Sequence, residues 1–239
     1  FHNNTLIDSV KLDFSVKEIA SHGDNGSFEG CSSLTHVIIP SSVNSIGNYA
    51  FFQCSSLTHI SIPSSIASMG SSIFAECNKL SKISIIPCGE KNIDYFEDQF
   101  LIVKTEKANE NFDTLIWTKL SVKNVTVPSF IKKIKASGLR GCSSLTQISI
   151  PSSVTTIENC AFRGCSSLKQ ISIPLSVTLI ENQDFQDCSS LSKVSFEIPS
   201  SITSIQNKTF LRCSALTEIT IPSSVSSIGE SAFEGCSSL

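Results

Sequence analysis

The sequence lacks any apolar run long enough to cross a bilayer, which excludes a membrane-spanning helix in these residues. It also lacks a basic stripe. With 18 Lys and Arg against 21 Asp and Glu, the net charge of −3 argues against nucleic acid or an anionic membrane as partner. There is no Cys-x-x-Cys and no cluster of Cys with His, so no metal site is expected. A phosphate-cradling glycine loop, a nucleotide fingerprint and a paired-carboxylate motif are all missing, so no cofactor is expected either. Serine is too abundant for a Ser/His/Asp triad to be read from composition, and the residues give no positive sign of an enzyme. Apolar content is not lacking: at 40% it is too high for a disordered chain. The chain opens at Phe1 without methionine and stops at Leu239, just inside a new "CSSL" unit. A fragment of a longer protein is therefore expected, with any signal peptide or anchor in its flanks.

What is present is one phrase, repeated. "CSSLTHVIIPSSVNSIGNYAF" begins at Cys31 and returns as "CSSLTHISIPSSIASMGSSIF" at Cys54. It comes again at Cys142, Cys165, Cys188 and Cys213. The step from Cys31 to Cys54 equals that from Cys142 to Cys165 and from Cys165 to Cys188, and a fixed period of this length marks a solenoid. With Cys as position zero, position 3 is leucine (Leu34, Leu57, Leu80, Leu145, Leu168, Leu191, Leu216). Positions 6 and 8 are mostly β-branched, as in Val37 and Ile39 or Ile60 and Ile62, and alternate with polar residues. That alternation predicts a short strand with one buried face, closed by the proline that usually follows. Position 20 is aromatic: Phe51, Phe74, Phe162, Phe185, Phe210 and Phe233, with Phe28 and Leu139 completing the column. No coil can bury these side chains alone, so stacking is what stabilises them. The segments around 34–39, 57–62, 80–85, 122–127, 145–150, 168–173, 191–196 and 216–221 are expected to be parallel strands of one sheet.

Two stretches depart from the period. Glu197 and Ile198 delay the proline and lengthen the step from Cys188 to Cys213, which reads as a bulge that leaves the stack intact. From Cys88 to Thr118 the repeat is lost, and Lys119 then stands where cysteine should be. Within that interval "FLIVK" (100–104) and "TLIWT" (114–118) are β-like runs separated by "TEKANENFD", so a projecting hairpin made of these two arms is expected. Trp117, the only tryptophan, is expected to tuck against the coil beneath. "VKLDFSV" (10–16) reads as a degenerate first coil.

The pattern "CSSLTxIxIPSSVxxIxxxAFxxC" resembles the BspA-like leucine-rich repeats of the treponemal class. The resemblance covers nearly the whole chain. It implies a β-rich solenoid, a curved leucine-rich-repeat stack with a parallel β-sheet on the concave face and an irregular hairpin-like interruption. Residues 1–239 would be one such solenoid, with the insertion at about 88–118. Proteins of this kind occur on the surfaces of mucosal bacteria and of protists such as trichomonads and entamoebae. There they are associated with adhesion to host cells and extracellular matrix, including fibronectin, and with cell–cell aggregation.

Eight of the ten cysteines (Cys31, Cys54, Cys77, Cys142, Cys165, Cys188, Cys213, Cys236) share position zero. Neighbouring strands lie about 4.8 Å apart, within the roughly 4.4–6.8 Å that a disulfide accepts, so distance does not exclude bridging. Side chains in one column nevertheless point the same way, whereas a bridge needs convergent Cβ vectors. The plain reading is a reduced ladder of small hydrophobes with weak S–H donors. Cys88 and Cys160 lie off the column, and Cys160 is the thiol expected to be partly exposed. The sequons at Asn3, Asn25, Asn124 and Asn207 matter only in a secreted chain and are common by chance in one so rich in Ser and Thr.

If positions 3, 6 and 8 point inward, position 5 points outward. It is occupied by His36, His59, Lys82, Asn124, Gln147, Gln170, Lys193 and Glu218. Two imidazoles alone make a weak metal site. The strip formed by His36, His59, Lys82, Gln147, Gln170, Lys193 and Glu218 is instead the candidate protein-binding surface, broad, polar and poor as a small-molecule pocket. The resulting expectation is a non-enzymatic, cell-surface or secreted protein that binds host extracellular matrix, cell-surface proteins or itself. The alternative is a cytoplasmic leucine-rich-repeat scaffold, since reduced cysteines suit a reducing compartment. Merely solvated strand positions would look the same.

Overall fold

Why the repeat closes into coils is visible from its hydrogen bonds. The computed structural model describes residues 1–23, 25–105 and 111–239, and among the described residues there is no helix. They form a β-solenoid with parallel sheets, in two compact units, Phe1–Phe112 and Asp113–Leu239.

In the first unit, Ser9–Lys11, His36–Ile38, His59–Pro63 and Lys82–Ile86 form one parallel sheet in that order. The register is the repeat itself: Val37 pairs with Ile60 and Ile60 with Ile83. The degenerate first coil takes its place too, with Val10 opposite Val37. The inward positions Val37, Ile39, Ile60 and Ile62 are each 2% exposed or less, as β-alternation requires. A second parallel wall joins Glu18–Ile19, Ser45–Ile46 and Ser68–Met69. The third wall is turn backbone: the N–H groups of Tyr49, Phe51 and Gln53 donate to the carbonyls of Ser71, Ile73 and Ala75, each at 3.0 Å. Making that wall takes two left-handed residues per coil, at positions 18 and 22. Position 22 is glycine at Gly30, Gly141, Gly164 and Gly235, but Gln53, Glu76, Asp187 and Arg212 also adopt positive φ there.

The insertion contains one strand more than expected. Its hairpin pairs Ile93–Phe96 with Phe100–Val103, antiparallel, through a turn in which Glu97 and Asp98 have φ of 53° and 52°. Two such residues give the tight turn whose twist suits a hairpin. Both expected arms are strands, Phe100–Val103 and Thr114–Thr118, and Thr114–Thr118 in turn pairs in parallel with Lys133–Ile134 of the second unit. Residues 106–110 between the two arms lie outside the described residues. Trp117 is 3% exposed, in keeping with the tucked form.

In the second unit, Asn124–Thr126 pairs with Gln147–Ser149, and Gln170–Ile173, Lys193–Phe196 and Glu218–Ile219 form a three-stranded parallel sheet. Every pairing is parallel, but the ladder is interrupted between Gln147–Ser149 and Gln170–Ile173 where one sheet was expected. The second wall runs through Leu115, Ile134, Ile157, Ile180 and Ile205 to Ile228. Val194 pairs with Ile219 across the lengthened step, yet Ser204 pairs with Ser227 at the ordinary period. The extra residues are therefore absorbed between the walls, with Ile198 standing 81% exposed.

The aromatic column is a stack of nearly parallel rings. Phe28–Phe51, Phe162–Phe185, Phe185–Phe210 and Phe210–Phe233 lie 5.2–5.4 Å apart between centroids. Phe51, Phe162, Phe185 and Phe210 are fully buried, and Leu139 fills the place of a ring.

Candidate protein-binding face

Hydroxyl groups are abundant here because the fold uses them. Position 4 carries Thr or Ser except at Lys123 and Lys169, and these hydroxyls donate to the backbone carbonyl of the coil before: Thr58 Oγ1 to Thr35 O at 3.1 Å, Thr146 Oγ1 to Lys123 O at 3.0 Å, Thr217 Oγ1 to Ser192 O at 3.2 Å. Position 11 does the same from "PSSV". Ser42, Ser153, Ser176 and Ser224 donate to Val16, Ile131, Val154 and Ile202 at 2.6–2.8 Å. These serines are structural.

So are the column thiols. Cys54, Cys77, Cys165, Cys188, Cys213 and Cys236 each aim Sγ at the position-20 carbonyl of the preceding coil, at 3.0–3.3 Å. All ten cysteines are free, and the column is a ladder of S–H donors to backbone, as the reduced reading required. Burial raises the thiol pKa of Cys142 and of Cys188 to about 12. Cys160 is half-buried and donates to Gln183 Oε1 at 3.3 Å.

Two further features escaped the sequence reading. Position 17 holds Asn48, Asn159, Asn182 and Asn207, whose Oδ1 atoms accept the backbone N–H of Ser71, Asn182, Asn207 and Glu230 in the next coil, at 2.8–3.2 Å. Their recurrence at the period was the available signal, and the Asn207 sequon belongs to this ladder. Asp184, at position 19 where the flanking coils have Ala161 and Thr209, is fully buried. It accepts N–H groups of Ala161 and Glu181 at 3.0 and 2.8 Å. Burial raises its pKa well above the carboxylate range, against the lowering effect of those two hydrogen bonds.

With the hydroxyls and thiols engaged in structure, the outward strand positions remain. In the first unit, one row across the sheet reads Ser9, His36, His59, Lys82, and the next reads Lys11, Ile38, Ser61, Ser84. The His36 and His59 rings meet edge to face, 6.1 Å between centroids, and His59 Nε2 lies 3.0 Å from Ser84 Oγ. Burial lowers the His59 pKa, and Lys82 and His36 lower it further. In the second unit, Gln170, Lys193 and Glu218 share one row, while Gln147 lies opposite Asn124 in the separate pair. Lys193 Nζ and Glu218 Oε2 are 3.4 Å apart, an exposed pair that neutralises both charges. Thus His36, His59 and Lys82 are brought together, as are Gln170, Lys193 and Glu218. Among the described residues no three His, Cys, Asp or Glu side chains gather as a metal would need, and no helix is long and apolar enough to cross a membrane.

This coil chemistry can be set beside known proteins. The family model for a BspA type leucine rich repeat region, in six copies, matches residues 1–104 and 111–239. The chain belongs to the BspA-type leucine-rich repeat family. No match is found among the curated proteins. Among solved structures, this BspA-type chain is similar to a leucine rich cell surface protein from Faecalibacterium prausnitzii A2-165. The two share 26% identity with a TM-score of 0.63, over 94% of this chain and 60% of that one. It is also similar to a leucine-rich repeat protein from Bacteroides ovatus ATCC 8483, at 25% identity and a TM-score of 0.54, over 100% of this chain and 61% of that one. The chain therefore spans about three-fifths of the length of these solved relatives. Membership of this repeat family is consistent with a protein-interaction module.

Proposed function

We propose that this BspA-type protein is a non-enzymatic adhesion module at a cell surface, binding host matrix proteins, cell-surface proteins or copies of itself through the outward strand rows. The observation that carries the reading is the division of labour among polar groups. Ser and Thr at positions 4 and 11 and Asn at position 17 bond the next coil, whereas position 5 presents its polar ends to solvent. A regular, solvated, polar sheet face is an extended surface for a protein partner. Likeness to a leucine rich cell surface protein supports the location. The test is the pair Lys82→Glu with Lys193→Glu, assayed for binding to a fibronectin-coated surface and for self-aggregation, beside Lys208→Glu as a control away from position 5. Loss of binding in the pair alone supports the face. Equal binding by the pair, the control and wild type removes it and shifts attention to the 88–118 insertion. The ten free cysteines favour a second reading, an intracellular scaffold, and antibody labelling of unpermeabilised cells separates the two.

A further inference from the structure

The two units present outward rows of different charge. In the second, Lys193 is answered by Glu218 at 3.4 Å, and the remaining members of the row are glutamines and an asparagine. In the first, His36, His59 and Lys82 lie on three consecutive strands at one register, and Lys11 stands in the adjoining row beside Ile38. No carboxylate is paired with Lys82 among the described residues. On the Ser9–Lys11 side, Asp8 accepts the Ser9 hydroxyl at 3.0 Å. Beyond Lys82–Ile86, the Ile93–Phe96 strand brings Asp94, already held by Lys91 at 2.7 Å. His59 has His36 on one side and Lys82 on the other, both of its own sign when charged, and its Nε2 lies 3.0 Å from the neutral Ser84 hydroxyl.

We propose that the row His36–His59–Lys82 is a docking strip for an acidic, extended peptide segment, and that it holds such a segment more tightly in mildly acidic solution. This rests on the binding face proposed above and adds the chemistry of its partner. Strands about 4.8 Å apart put the outer two side chains of the row roughly 9.6 Å apart. A peptide crossing the strands in extended form carries same-face side chains about every 6.8 Å. Acidic residues two apart therefore span the row within the reach of Glu and Lys side chains.

The sign of the pH effect follows from who is charged. At neutral pH Lys82 is the fixed cation of the row, while burial, and then the neighbouring Lys82 and His36, hold the His59 pKa below the ordinary histidine value of about 6.5. Histidine side chains gain protons as the pH falls, and a bound carboxylate favours that charged form. Binding must then tighten until the peptide's own carboxylates protonate near about pH 4.3. Two newly formed exposed ion pairs, each of modest strength, give roughly a five- to tenfold gain in affinity at low salt.

The experiment uses the full chain and a fluorescein-labelled (Gly-Glu)6 peptide, with (Gly-Gln)6 as the neutral control, by fluorescence anisotropy at pH 5.5 and 7.5. The expected result is preference for the acidic peptide, about five- to tenfold tighter at pH 5.5. The double variant His36→Gln with His59→Gln should lose that increment while keeping the pH 7.5 affinity. Lys82→Gln should weaken binding at both pH values, and Lys193→Gln should change neither. All four positions are on the solvent side of their strands, and circular dichroism checks that each variant is folded. Affinity that does not change with pH, an increment that survives the double histidine variant, or equal binding of the neutral peptide overturns the proposal. The two readings fail separately. Matrix binding that survives Lys82→Glu with Lys193→Glu sinks the adhesion face while the peptide result stands. A flat pH profile beside intact matrix binding sinks the acidic partner alone.

Discussion

Replacing Phe185 by alanine should cost about 4–5 kcal/mol of unfolding free energy, the upper part of the range for buried aromatics. The side chain is fully buried and stacked on both faces, 5.2 Å from Phe162 and 5.4 Å from Phe210. Losing most of a phenylalanine's roughly 150–250 Å² of burial at about 25 cal/mol per Å² accounts for around 4 kcal/mol. Two broken ring stacks add some of the roughly 0.5–1.5 kcal/mol each is worth. Collapse can recover little, because each ring's backbone is tied to the next coil: Phe162, Phe185 and Phe210 donate to Asp184, Thr209 and Ala232 at 2.8–3.0 Å. Phe233 is half-buried and stacks on Phe210, so Phe233→Ala should cost about half as much. Urea unfolding followed by circular dichroism measures both, and amide exchange should show protection lost first between about residues 162 and 210. A loss below about 1 kcal/mol for Phe185→Ala, or equal losses for the two variants, would refute the stacked-column account.

Three other perturbations test single features. Gln53→Gly relieves a left-handed residue at φ 59° and should stabilise by about 0.5–1 kcal/mol, whereas Gly164→Ala, at φ 75° with no steric obstacle beyond ordinary contact, should lose about 1–2 kcal/mol; thermal melts decide both. Asp184 has a raised pKa in the folded state, so the folded protein holds its proton longer than the unfolded chain. Its contribution is therefore favourable below the unfolded carboxylate pKa and is lost as pH rises towards the folded value; Asp184→Ala should flatten that decline in urea titrations at a series of pH values. Cys188→Ala removes the S–H donor to Phe162 O and should cost about 1 kcal/mol, and Cys188→Ser, which keeps a donor, should not fold better than wild type, since a buried hydroxyl is harder than a thiol to desolvate.

Most of the coil was legible because the period repeats every inward residue. Leu34, Val37, Ile39, Val43, Ile46 and Phe51 announce three walls and a core at once, and parity alone puts His36 and Lys82 on the solvent side. The insertion was partly legible: Phe100–Val103 and Thr114–Thr118 read as β runs from their composition, whereas Ile93–Phe96 was not named, and closure of the Glu97–Asp98 turn is what assigns it. The first coil was half legible: its Val10 pairs with Val37 at an offset longer than the period, which no alignment on cysteine displays. At the face, the outward register of position 5 was legible from strand parity, but the neutralising approach of Lys193 to Glu218 and the seat of His59 Nε2 on Ser84 depend on rotamers. Asp184 went unnoticed because position 19 varies among Ser27, Ala50, Ile73, Gly138, Ala161, Thr209 and Ala232, so one acidic residue there looks like noise.

The thiol ladder also bears on chemistry that has nothing to do with packing. A thiol reacts as its thiolate, and at a pKa of about 12 only about one in 10⁵ is ionised at pH 7. Cys142 and Cys188, shut away from solvent and held on backbone carbonyls, are thus poor nucleophiles towards peroxide, glutathione disulfide or each other. Cys88 is the contrary case. Burial pushes its pKa up, but the Ser65 and Ser64 hydrogen bonds outweigh it and leave the thiol more acidic than usual, in a half-exposed position. Oxidation or alkylation of the folded chain should begin there, leaving the column intact. A protein built this way can carry its buried column of reduced cysteines through an oxidising medium by slowness alone, so those thiols do not tie it to the inside of a cell.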